Sequence, residues 1–161
     1  MNKTLRKFTL IFIFILTSCE KTNLLPITAE NLIEKVYTFK GKKIVLVNVW
    51  ALWCKPCVEE FPMIIQLQKE RNDLEVIFVN ADFQDQTQDV IYFLKKHNVG
   101  SVSYIKKQKD EPFIESLHPN WSGSLPFTIV YGKNSGHIVD YWEGKEPRLR
   151  FSEAFSRALI N

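Results

Sequence analysis

The stretch Ile44-Val45-Leu46-Val47-Asn48-Val49-Trp50 runs almost directly into Cys54-Lys55-Pro56-Cys57, and this junction constrains the fold more than any other part of the sequence. A near-continuous β-branched and aromatic run fits a central strand covered on both faces, as in sheets with parallel pairing. Asn48 is its single polar member. Beyond the cysteines, Pro56 to about Arg71 reads as a helix whose apolar face is Val58, Phe61, Ile64, Ile65 and Leu67. Pro62 lies inside it and predicts a kink, because an interior proline removes a ladder hydrogen bond.

The remaining pattern alternates. A short helix is expected over Ile27 to Val36, with Thr28 as its N-cap. Lys40 to Lys43 is a turn, Glu75 to Val79 a second strand, and Thr87 to His97 a helix stopped near Gly100. Ser101 to Trp121 predicts a short strand and a turn of helix around Phe113 to Leu117. Phe127 to Tyr131 and Ile138 to Trp142 are strands joined by the hairpin loop Gly132 to Gly136, and a final helix starts at Pro147 or Arg148. This order predicts an α/β sandwich with a mixed sheet flanked by helices.

If the helix begins just after the central strand, Cys54 sits at its amino end. There unpaired backbone N–H groups and the helix dipole favour a thiolate. Cys57, one turn on, is placed to close a disulfide with it. Cys54 is then the nucleophile and Cys57 the resolving thiol. Pro56 fixes φ in the first turn, and Lys55 adds a positive charge nearby. So small a loop constrains the unfolded chain little, which makes structural stapling a poor explanation for the pair. A zinc site would need four ligands, and this chain has no second cysteine pair. His97, His118 and His137 are scattered without ligand spacing. No metal or cofactor is expected beyond the redox-active disulfide itself.

Lys3, Arg6 and Lys7 precede an apolar run from Phe8 to Leu16 that only Thr9 interrupts. The run suits an export signal and falls short of the ~20 residues a spanning helix needs. Leu16-Thr17-Ser18-Cys19 then resembles the bacterial lipobox, which implies a lipid on Cys19. The expected organisation is a signal peptide over 1–18, a lipidated tether over 19–26, and one folded domain over 27–161. With the three basic residues of the signal set aside, the other 18 basic side chains balance the 18 acidic ones. A neutral domain carries no electrostatic footprint for nucleic acid.

The segment Val47 to Cys57, with Glu60-Phe61-Pro62 behind it, resembles the active-site region of the thioredoxin superfamily. It is most similar there to the TlpA/ResA-like thiol-disulfide oxidoreductases. Asn48 falls where ordinary thioredoxins carry a buried aspartate, and Glu60 matches a glutamate that this branch places near the cysteines. Asn120 to Thr128 resembles the family's segment before its cis-proline, which would be Pro126. The resemblance implies a thioredoxin fold and an extended partner chain lying across Leu125 and Pro126, beside Trp53, Lys55 and Pro56. Asn48 reads first as a hydrogen-bonded core amide, and unlike an aspartate there it cannot serve as a buried general base. Glu60 is either a solvated helix residue or a group that titrates near the thiols and relays a proton to Cys57.

The resemblance also implies a monomeric, lipid-anchored extracytoplasmic reductant of disulfides in exported proteins such as apocytochromes c, fed by a membrane thiol donor. A sequence does not fix a redox potential. An oxidase or isomerase, or a binding module using the same groove, therefore remains an alternative.

Overall fold

A computed structural model of the chain describes residues 23–100 and 102–161. The expected signal segment 1–18 and Cys19 lie outside them. The sheet is built on β2 (Ile44–Trp50), in which every residue is buried. It pairs in parallel with β3 (Leu74–Asn80) and antiparallel with β5 (Phe127–Tyr131). With β1 (Leu24–Ile27), β4 (Ser103–Lys106) and β6 (Ile138–Glu143), the six strands lie in the order β1-β4-β3-β2-β5-β6.

Helices α1 (Ala29–Tyr37) and α4 (Asp110–Leu117) cover one face of the sheet. The other face is covered by α2 (Lys55–Glu70), α3 (Thr87–Lys96) and α5 (Arg148–Ile160). Strand alternation divides β2 between the two layers. Val45, Val47 and Val49 pack with Leu32, Val36 and Phe113, whereas Ile44, Leu46 and Trp50 pack with Phe61, Leu94 and Phe155. Asn48 has the parity of the second set and so points toward α2.

Thr28 caps α1 as expected, accepting the Asn31 N–H at 3.3 Å. Helix α2 is assigned without interruption through Pro62.

The expected tether boundary is corrected. Leu24 to Ile27 form an edge strand in register with Ser103 to Lys106, so the sheet begins at Leu24 and not after Pro26. Four residues that include a proline give no readable periodicity, yet an edge strand tolerates proline because one side needs no ladder donor. Helix α4 is also longer than the single turn expected. It starts at Asp110, with Pro112 in its first turn, where a missing N–H costs no hydrogen bond.

Candidate active site

Cys54 is the N-cap of α2, and Cys57 closes a disulfide with it across 5.3 Å between Cα atoms. The Cys57 N–H donates to Cys54 Sγ at 3.3 Å. The sulfur thus occupies the position where a capping oxygen would satisfy an orphan donor of the first turn. Both cysteines are buried, Cys54 at 4% exposure and Cys57 at 2%. Pro56 stands in the first turn of the helix, exposed like Lys55. The ammonium of Lys55 lies 4.0 Å from the Glu59 carboxylate.

Glu60 is 1% exposed, which decides against a solvated helix glutamate. Its Oε2 accepts the Glu146 N–H at 2.9 Å, and its Oε1 lies 3.5 Å from Asn48 Nδ2. Burial is the largest influence on this carboxyl and raises it to about 7, against lowering contributions from the Glu146 N–H, Lys145 and Asn48. Asn48 also donates to Thr128 Oγ1 at 3.0 Å, its partner across the β2–β5 ladder. Asn48 is thus a hydrogen-bonded core amide, and it also reaches the glutamate behind the cysteines, a contact the sequence did not suggest. Glu59 points outward to Lys145 at 2.8 Å.

The Leu125–Pro126 peptide is cis. Leu125 packs against the core cluster that contains both cysteines. It also lines a groove of about 220 Å³ with Trp53, Phe83, Phe113 and Trp121. Trp53 is 65% exposed and forms a rim of this groove. His97 packs on Phe93 and Phe61, and His118 on Tyr141. Among the described residues no group of three or more His, Cys, Asp or Glu is placed to hold a metal ion.

Two features were not foreseen from the sequence. Asp82, 3% exposed, accepts the Leu52 N–H and Asn80 Nδ2, each at 2.7 Å, and so anchors the loop that leads into Cys54. The signal available was a polar pair, Asn80 and Asp82, where a buried strand ends. The second is the turn after β6, whose Lys145 and Glu146 reach Glu59 and Glu60; such a contact over 86 positions leaves no local pattern.

The thioredoxin-like family model matches residues 41–137. The thiol:disulfide interchange protein DsbE of Haemophilus influenzae is 35% identical over 119 residues, covering 70% of this chain and 62% of that protein. The thiol-disulfide oxidoreductase ResA of Bacillus thuringiensis is 34% identical over 117 residues, covering 71% and 62%. The chain thus spans less than two thirds of the length of these curated relatives. A solved thiol:disulfide interchange protein of Chlorobium tepidum superposes with a TM-score of 0.60 at 23% identity, over 76% of this chain and 83% of that one, which shows the shared fold. By its family match, the chain belongs to the thioredoxin-like family.

Proposed function

We propose that this protein is an extracytoplasmic thiol-disulfide oxidoreductase that reduces disulfides in exported proteins, apocytochromes c among them. The observation that carries the reading is the position of Cys54 Sγ, which receives the Cys57 N–H at the mouth of α2. When the pair is reduced, that donor and the helix dipole favour the Cys54 thiolate. The thiolate attacks one sulfur of a partner disulfide, forming a mixed disulfide and releasing the partner's other sulfur as thiolate. Cys57 then loses its proton and attacks Cys54 Sγ. The Cys54–Cys57 disulfide forms, the second partner sulfur leaves, and two electrons have moved to the partner.

Glu60, one turn beyond Cys57 and ionising near pH 7, is the group suited to take the Cys57 proton. Asn48 cannot serve as a base and instead orients Glu60. Trp53, Lys55, Pro56 and Leu125 form the surface for the partner chain beside the buried cis Pro126, with Leu125 offering backbone groups and an apolar side chain.

The export-type segment 1–18 and the lipobox support an anchor by a lipid on Cys19; a monomeric state and supply by a membrane thiol carrier rest on the family resemblance alone. The described residues contain no helix long and apolar enough to cross a membrane.

The decisive experiment is Cys57→Ser in the full chain. It should accumulate mixed disulfides through Cys54 whose partners, identified by mass spectrometry, are exported proteins. Capture that persists with both cysteines replaced would show a binding module instead. Direction is read by equilibrating the pair with thiol buffers. A potential near thioredoxin's, about −270 mV, fits a reductant, whereas one between about −180 and −120 mV fits an isomerase or oxidase.

A further inference from the structure

Four consecutive residues, Glu143 to Glu146, hold both walls of the disulfide site. On one side the Glu143 carboxylate accepts the Ser122 N–H at 2.7 Å and the Ser122 hydroxyl at 2.5 Å. Ser122 Oγ in turn accepts the Ser124 N–H at 3.3 Å and lies 2.9 Å from Ser124 Oγ. The Gly144 N–H donates to Pro126 O at 2.8 Å. On the other side are the contacts of Lys145 and Glu146 to Glu59 and Glu60 on α2.

The segment Ser122 to Ser124 has little else to hold its shape. Both serines are exposed, and Gly123 sits at φ +91°, where a side chain is disfavoured. Trp121 Nε1 reaches Ser124 O at 2.9 Å, which fixes one carbonyl. The charge-assisted bonds to Glu143 are the strongest restraint on the turn. Burial would raise the Glu143 carboxyl, but hydrogen bonds from Ser122 and Ser124 bring it below its ordinary value, consistent with an ionised acceptor. Glu143 faces Phe127 across the β5–β6 ladder, so its side chain ties this turn to the sheet immediately beside Leu125 and Pro126.

We propose that Glu143 is a positioning residue for the partner chain: by pinning the Ser122–Ser124 turn to the end of β6, it fixes the Leu125 backbone in the attitude that an extended polypeptide pairs with. This rests on reading Leu125 and Pro126 as the partner-binding edge. A partner pays less ordering entropy when that edge is already held. A small dithiol, which needs no backbone pairing, gains nothing from it.

The test compares the full chain with its E143A variant in two reactions: reduction of its own disulfide by dithiothreitol, and reduction of insulin by its dithiol form. E143A should raise KM for insulin ~10-fold, the size of one charge-assisted hydrogen bond, and keep kcat within about twofold. The dithiothreitol rate should not change, and E143Q, which retains one acceptor oxygen, should recover part of the KM. An unchanged KM overturns the proposal, as does a parallel slowing with dithiothreitol, which would mark general loosening. If E143A does not fold, E143Q alone decides by the same KM comparison. Capture by Cys57→Ser separates the two readings. No capture with Glu143 intact removes the proposed function. Capture that is equally fast when E143A is added removes only the role of Glu143.

Discussion

The backbone N–H of Glu146 donates to Oε2 of Glu60 at 2.9 Å, so a turn at the far end of the chain closes over a carboxyl one helical turn beyond Cys57. Without that donor and the Asn48 amide, burial would leave Glu60 almost unsatisfied. With them it remains a group that can change protonation near neutral pH. The contact also binds α2 to the β6 end of the sheet, where Gly144 holds Pro126.

Glu60 should give the fold a pH-dependent stability. Its carboxyl ionises near 7 when folded and near the ordinary 4.5 when unfolded, so the folded chain holds the extra proton between those values. The contribution is fully present below about pH 4.5, falls as pH rises through 7, and is level above, a span on the order of 3 kcal/mol. Glu60→Gln should flatten this slope and leave the oxidised variant more stable than wild type at about pH 8. Urea unfolding across that range checks it, and an unaltered slope would show that Glu60 ionises normally.

Asn48→Asp should be costly at neutral pH. It sets a second carboxylate about where Asn48 Nδ2 now lies 3.5 Å from Glu60 Oε1, and two such groups cannot both ionise in a buried site. We expect a loss of ~2–4 kcal/mol at neutral pH, shrinking as acid protonates the pair. Equal losses at acid and alkaline pH would contradict the shared-site account.

In the reduced protein, Cys54 should alkylate far faster than Cys57 at neutral pH. Its thiol is expected to titrate below the ~8.5 of a free cysteine because it caps α2, whereas Cys57, comparably buried, lies inside the first turn and caps nothing. Iodoacetamide labelling against pH, read by mass spectrometry at each residue, gives both profiles. A Cys54 profile centred on the free-thiol value would remove the basis for its role as nucleophile.

Asp82→Ala should loosen the approach to the disulfide. It strands two donors, the Leu52 N–H and Asn80 Nδ2, at a cost of ~1–3 kcal/mol for each one left buried without a partner. Thermal unfolding measures that loss. Hydrogen exchange at Leu52 and Trp53 should rise beyond the global change, and exchange that tracks only global stability would show that the loop is held by other contacts.

The strand into the cysteine pair was legible because its physics is local. Ile44 to Trp50 announces a two-faced core strand by composition, and a helix beginning at a Cys-x-Pro-Cys pair follows from where proline and unpaired N–H groups are tolerated. Thr28 as a cap, the hairpin at Gly132 to Gly136, and the last helix were readable for the same reason. Edge strand β1 was not: Leu24 to Ile27 become a strand only because Ser103 to Lys106 lie alongside them.

The site divides the same way. By itself the sequence placed Cys54 and Cys57 a turn apart at the start of a helix and supplied the reason such a position favours charge on the first sulfur. It left Glu60 open between solvent and core, because a glutamate on a helix looks the same in either place. The tertiary structure decided the matter by folding Glu146 and Asn48, itself held by Thr128, around it and Glu143 onto the turn before Pro126. Those partners come from strands and turns far apart in the chain, and burial and hydrogen-bond pairing at such range exist only once the sheet has assembled.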